Sequence, residues 1–152
     1  MTVSLTEILR PNSVRAGVRC ASKKRCLESI ADLIAEVSGR DAGDLLDNLN
    51  ARERLGSTGL GQGVAIPHCR LGAGTTSAAL LTLDSPIEFG AIDDGPVDLL
   101  FALVVPEDAC EEHLQLLAKL AELFSRADFC ERLRGSQDDG ALFSVIQEAW
   151  QA

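Results

Sequence analysis

The sequence predicts an α/β fold, one β-sheet covered by helices, and three observations carry that expectation. Residues 97–105, Val-Asp-Leu-Leu-Phe-Ala-Leu-Val-Val, are a nearly unbroken apolar run between the turn sequence Asp93-Asp94-Gly95-Pro96 and Pro106. A strand buried on both faces reads this way. Apolar residues recur at helical spacing on either side of it, within residues 22–55 and 109–150. The 152 residues show no internal repeat, low-complexity tract or linker, so residues 1–152 are expected to form a single domain. A chain of this length buries roughly 68–70% of its unfolded surface, enough for a core without disulfide or metal staples.

Each element follows from local signals. Leu5, Ile8 and Leu9 suggest a short helix or docking segment, and residues 10–21 read as loop, with Pro11-Asn12 marking a turn. Ser22 is placed as an N-cap, after which Cys26, Leu27, Ile30, Ile34 and Val37 recur at helical spacing until Gly39. A second helix carries Leu45, Leu46, Leu49 and Leu55 on one side and stops at Gly56. Val64-Ala65-Ile66 reads as a short buried strand ended by Pro67, which cannot donate to a ladder. Residues 78–83 form a further strand, and 86–89 a short extended piece. A long helix spans about residues 109–126, with His113, Leu117, Leu120 and Phe124 on one stripe and Leu114 and Ala121 beside it. A short helix over 128–134 ends at Gly135, and a last helix begins at Ser136 or Asp138 with Leu142, Phe143, Ile146 and Trp150 on its apolar side.

Composition removes several function classes. Fourteen Lys and Arg against twenty-three Asp and Glu give a net charge of −9, which disfavours nucleic acid as a partner. The charge is uneven: residues 1–40 carry seven basic and four acidic groups, the rest seven and nineteen. That asymmetry is either solvated surface or an acidic face for a basic partner. Five cysteines without a framework spacing, and no secretory signal pattern at the start, point to a reducing cytoplasm. The longest apolar stretch, Leu99 to Val105, is far too short for membrane insertion.

The stretch from Gly56 to Arg70 concentrates the chemistry. Four glycines among its first eight residues let the backbone approach an anion, and the two hydroxyls of Ser57 and Thr58 add donors. The stretch delivers His68, one of only two histidines, at the end of a strand. A phosphate acceptor needs a neutral imidazole nitrogen held in line with phosphorus and donors around the equatorial oxygens. Ser57, Thr58 and the N–H groups near Gly59 suit that task, and Arg52 offers a guanidinium fork. The structural alternatives are a core histidine, ordinary turn hydroxyls, and an arginine that complements a helix C-terminus. His113 opens the long helix, where the dipole favours its neutral form, and its role depends on whether it folds back near His68. Cys110-x-x-His113 has ligand-like spacing, but adjacent His68-Cys69 seldom chelate one ion and no CxxC or HxxxH pair is present, so no metal is expected. Cys69 and His68 make a poor thiol–imidazole pair, since neighbours in an extended segment face opposite ways. No Walker A sequence is present, and no cofactor is expected.

The run Arg52-Glu53-Arg54-Leu55-Gly56-Ser57-Thr58-Gly59-Leu60-Gly61, then Gly63-Val64-Ala65-Ile66-Pro67-His68, closely resembles the active-site signature of fructose/mannitol-type enzyme IIA proteins of the bacterial phosphotransferase system. Residues 93–106 resemble that family's central strand, His113-Leu114 matches its second histidine, and the resemblance covers about residues 3–150. The Ser-Thr-Gly and Asp-Leu-Leu-Phe-Ala wording is most similar to the nitrogen-regulatory, stand-alone branch. The resemblance implies one enzyme IIA type 2 domain with a mixed central sheet flanked by helices on both sides. It implies a phosphohistidine at His68 through Nε2, with Arg52 and His113 lining the phosphate site. The implied donor is an HPr-like phosphocarrier of the nitrogen branch, charged from phosphoenolpyruvate by an enzyme I, and the implied output is control of regulated target proteins. Cys69 departs from the pattern, standing where a glycine is common, so its thiol is expected to crowd the site or oxidise beside it. The competing readings are a sugar-transport enzyme IIA serving a separate IIB, and a non-catalytic interaction module on the same fold.

Overall fold

The computed structural model describes residues 4–91, 93 and 95–151. One six-stranded sheet runs β1-β5-β6-β3-β2, with β4 also paired to β6. The strands are β1 (Leu9–Val18), β2 (Gly59–Gly61), β3 (Val64–Ala65), β4 (His68–Arg70), β5 (Ser77–Ile87) and β6 (Val97–Val105). The sheet is mixed. β1 runs parallel to β5, and β3 and β4 run parallel to β6, whereas β5–β6 and β2–β3 are antiparallel.

β6 is the strand expected over 97–105, and its side chains explain the apolar run. Leu99, Phe101, Leu103 and Val105 join one buried cluster, and Leu100, Ala102 and Val104 join another on the opposite face. Period-two alternation therefore needs an apolar residue at every position when both faces are covered. The first face packs on α1 (Leu5–Ile8), α4 (Cys110–Phe124), α5 (Ala127–Arg134) and α6 (Asp139–Gln151). The second packs on α2 (Lys23–Ser38) and α3 (Ala42–Arg54).

The helix boundaries follow capping chemistry. Ser22 Oγ accepts the Arg25 amide at 3.2 Å, and Gly39 closes α2 with φ of 77°, where a side chain would be strained. Asp41 caps α3 by accepting the Asp44 amide at 3.0 Å.

Three expectations are corrected. Residues 10–18 are strand, and only 19–21 are loop: β1 runs through Pro11 because it is an edge strand, where a missing N–H breaks no ladder. A bulge absorbs the turn-like residues, since β1 advances from Leu9 to Val14 while β5 advances only from Ala78 to Leu80. Residues 86–87 are the end of β5 across another bulge rather than a separate piece. Leu55, Leu114 and Ala121 do not join the apolar faces of their helices; all three are exposed, and α4 buries Leu116 and Leu123 beside Leu120 and Phe124 instead. Of the turn at 93–96, Asp93 accepts the Gly95 amide at 3.0 Å, while Asp94 lies outside the described residues, as does the Cys110 side chain.

Candidate functional site

His68 begins β4 and not the end of β3. Pro67 interrupts the pairing along the edge of β6, and β4 resumes it with His68 opposite Leu103, Cys69 opposite Val104 and Arg70 opposite Val105. Strand alternation turns Cys69 into the cluster under α2 and α3 and sets His68 and Arg70 on the other side. α3 packs beside β4, which brings Arg52, near its C-terminus, to His68. α4 follows β6 directly and places His113 in its first turn. The three elements enclose an open cleft of about 410 Å³ lined by Arg52, Leu55, His68, Arg70, His113 and Leu114 among others.

Hydrogen bonding fixes the protonation of both imidazoles. His68 Nδ1 lies 2.7 Å from the Ile66 carbonyl oxygen, which can only accept, so Nδ1 carries the proton. Arg52 Nε lies 3.4 Å from His68 Nε2 and can only donate, so Nε2 keeps its lone pair. Burial holds the His68 imidazole below its ordinary basicity; the Ile66 bond and Glu53 oppose this, and the Arg52 and Arg70 cations add to it. His113 is inverted. Arg70 Nε donates to its Nδ1 at 3.2 Å, which leaves the proton on Nε2. That Nε2 is buried and has no hydrogen-bond partner among the described residues. Burial first, then His68, Arg70 and Arg52, push the His113 pKa down to about 4. The two rings stand edge to face, centroids 5.3 Å apart and planes at 71°. One neutral ring thus offers a nucleophilic nitrogen and its neighbour an unsatisfied N–H donor, between two guanidinium groups.

The structure brings together His68, Arg52 and His113. The donors of Ser57, Thr58 and Gly59, expected around the phosphate, have other partners in this structure. Ser57 Oγ donates to the Phe89 carbonyl at 2.9 Å and accepts the Gly59 amide at 3.1 Å. Thr58 is buried, and both its hydroxyl and its amide donate to the Glu53 carboxylate, at 2.5 and 3.2 Å. Lys23 Nζ completes that carboxylate's shell at 2.9 Å. A Cβ on Gly59 would stand 2.7 Å from Ala91 Cβ, so this glycine serves close packing. Part of the glycine-rich stretch forms β2. Cys69 is only 6% exposed, and burial pushes its thiol up to about 11 against the pull of Arg40, so it stands protonated, although it is among the residues that line the cleft.

Arg70 is the residue that sequence reasoning missed. The signal was present: two positions beyond His68 in an extended segment share its face. Among the described residues, no three His, Cys, Asp or Glu groups cluster as a metal site requires, and no helix is long and apolar enough to cross a membrane.

Comparison with known proteins adds a second line of argument. A family model described as phosphoenolpyruvate-dependent sugar phosphotransferase system, EIIA 2, matches residues 7–149. A nitrogen regulatory protein of Pseudomonas aeruginosa is 49% identical over 146 residues, covering 95% of each chain. One from Escherichia coli K12 is 40% identical over 149 residues, covering 97% of this chain and 91% of its own. The crystal structure of nitrogen regulatory protein IIA-Ntr from Neisseria meningitidis superposes with a TM-score of 0.89 at 38% identity, covering 93% of this chain and 98% of its own.

Proposed function

Because the chain belongs to the EIIA 2 family of the phosphoenolpyruvate-dependent sugar phosphotransferase system, we propose that it is a cytoplasmic phosphoryl-carrier regulator that takes phosphate onto His68. One observation carries the assignment of the acceptor atom: the Ile66 carbonyl holds the proton on Nδ1 at 2.7 Å, so the free lone pair is on Nε2. Residues 1–152 act here as one enzyme IIA type 2 domain.

The donor is an HPr-like phosphocarrier, charged through an enzyme I from phosphoenolpyruvate. Nε2 attacks phosphorus in line; the new P–N bond forms as the bond to the carrier breaks, and the carrier recovers that electron pair. Arg52, now 3.4 Å from Nε2, moves its donor from the lone pair to a phosphoryl oxygen. The buried N–H of His113 acquires its missing acceptor in the same way. Neither step needs a cofactor or a backbone rearrangement.

The regulatory reading is supported by the nitrogen regulatory proteins among the relatives and by the rim of the cleft. Leu55 and Leu114 are 85% and 64% exposed, an apolar pair beside the imidazole suited to a protein surface. A phosphate on His68 adds roughly −1.5 to −2 charges between them. Targets that fit the bare imidazole lose affinity when it is phosphorylated.

The test incubates the protein with phosphoenolpyruvate, enzyme I and the HPr-like carrier, then locates phosphate by mass spectrometry. An acid-labile, base-stable phosphate on His68, absent from His68→Ala, is expected. Phosphate retained by His68→Ala would overturn the assignment.

A further inference from the structure

We propose that Arg70 is a positioning residue for phosphoryl transfer: its bond to Nδ1 of His113 holds that ring in the tautomer that presents Nε2–H beside His68. This rests on the phosphohistidine reading above.

Three observations combine. Arg70 Nε stands 3.2 Å from His113 Nδ1, and a guanidinium nitrogen donates without ever accepting. The only nitrogen left for the His113 proton is then Nε2, which is buried and without a partner among the described residues. The His113 side chain belongs to a residue only 5% exposed, its ring centroid 5.3 Å from that of His68. A buried, unpaired donor is expensive in the resting protein and becomes useful when an acceptor arrives. With the opposite tautomer, Nε2 would present a lone pair to the phosphoryl oxygens and repel them.

The geometry for this is built into β4. His68 and Arg70 sit two positions apart in one short strand, registered against Leu103 and Val105 of β6. The strand therefore sets the nucleophile and the group that orients its neighbour in one rigid frame. His113 itself comes from α4, and its Nδ1 meets Arg70 across the junction. The charged and titratable groups around His113 are His68 and Arg70 on β4 and Arg52 on α3. Arg70 alone among these is bonded to Nδ1 in the structure.

The experiment reads the His113 ring nitrogens by long-range proton–nitrogen NMR in unphosphorylated protein near pH 8, and phosphoryl transfer from the phosphorylated carrier, for wild type, Arg70→Met and Arg70→Lys. Wild type should show Nδ1 unprotonated and Nε2 protonated. Arg70→Met should shift Nδ1 toward the protonated value and slow transfer on the order of tenfold, the lower end of what losing a histidine's orienting partner costs, with half-saturation by the carrier unchanged. Arg70→Lys, which keeps a donor at that place, should keep the tautomer and most of the rate. A wild-type ring protonated on Nδ1 overturns the proposal. So does Arg70→Met with its tautomer intact, even if transfer slows, because Arg70 would then act only as a cation. A shifted tautomer with unchanged transfer overturns it as well. Failure of wild type to accept phosphate would instead defeat the phosphohistidine reading, and the ring spectra would still report what Arg70 does to His113.

Discussion

Replacing Glu53 by alanine should be among the most destabilising single changes in the protein. Its carboxylate is 5% exposed and receives Lys23 Nζ at 2.9 Å, the Thr58 amide at 3.2 Å and the Thr58 hydroxyl at 2.5 Å. Glu53→Ala strands all three donors. Thr58 is only 6% exposed, and Lys23, 29% exposed, keeps the Phe89 carbonyl at 3.2 Å and the face of the Phe89 ring. Removing one partner of a buried ion pair costs about 3–5 kcal/mol. In a chain of this size that lowers the melting midpoint by roughly 10 °C. Urea unfolding followed by the fluorescence of Trp150, the only tryptophan and a buried one, measures the loss. The ammonium is part of the penalty, so Lys23→Met in the Glu53→Ala background should be less destabilising than the two single changes added together. A loss under about 1 kcal/mol, or strict additivity of the two changes, would refute the argument, because exposed pairs behave that way.

Arg52→Ala and His113→Ala should each slow phosphoryl transfer by an amount equivalent to about 1–3 kcal/mol, the worth of a hydrogen bond to a charged group, while leaving the folded fraction at neutral pH nearly intact; stopped-flow transfer rates beside melting midpoints separate this from a structural role. Acid should reveal His113. Its folded pKa of about 4 lies below the ordinary value of 6.5, so the unfolded chain binds the proton in that window, and stability falls by about 2–3 kcal/mol as pH drops through it. His113→Gln should flatten that part of the stability–pH curve measured by urea titration. Gly59→Ala should destabilise by about 1–3 kcal/mol, since its Cβ would meet Ala91 at 2.7 Å, and thermal melting reads the loss.

Much of this was legible from residue order. The bounds of β6 and α2 came from Pro106 and from the Ser22 and Gly39 caps, whose chemistry is local. His68 stood out because a strand-ending Pro67 delivers it. What was not legible depended on partners distant in sequence. Pro11 and Asn12 look like a turn until β5 supplies a parallel neighbour on one side only. Ser57, Thr58 and Gly59 have the composition of an anion cradle, but spacing does not say which way a hydroxyl points, and Phe89 and Glu53 take the donors instead. Leu55 and Leu114 fit helical periodicity, which marks an arc without saying where the covering surface ends. Arg70 was within reach of simple alternation, hidden because β4 is only three residues long.

The position of β6 also sets a timetable for synthesis. This strand is hydrogen-bonded along both edges, to β5 on one and to β3 and β4 on the other, yet it ends at Val105, two-thirds of the way along the chain. At roughly 5–20 residues per second, the ribosome works for about 5–20 s before that strand is complete. Through that interval α2 and α3 have emerged with Cys26, Leu27, Ile30, Leu45 and Leu49 facing the even-numbered side of a strand that does not yet exist. The nascent chain therefore carries an uncovered greasy surface until its later third arrives. That is the stretch of its life in which a holdase would engage it.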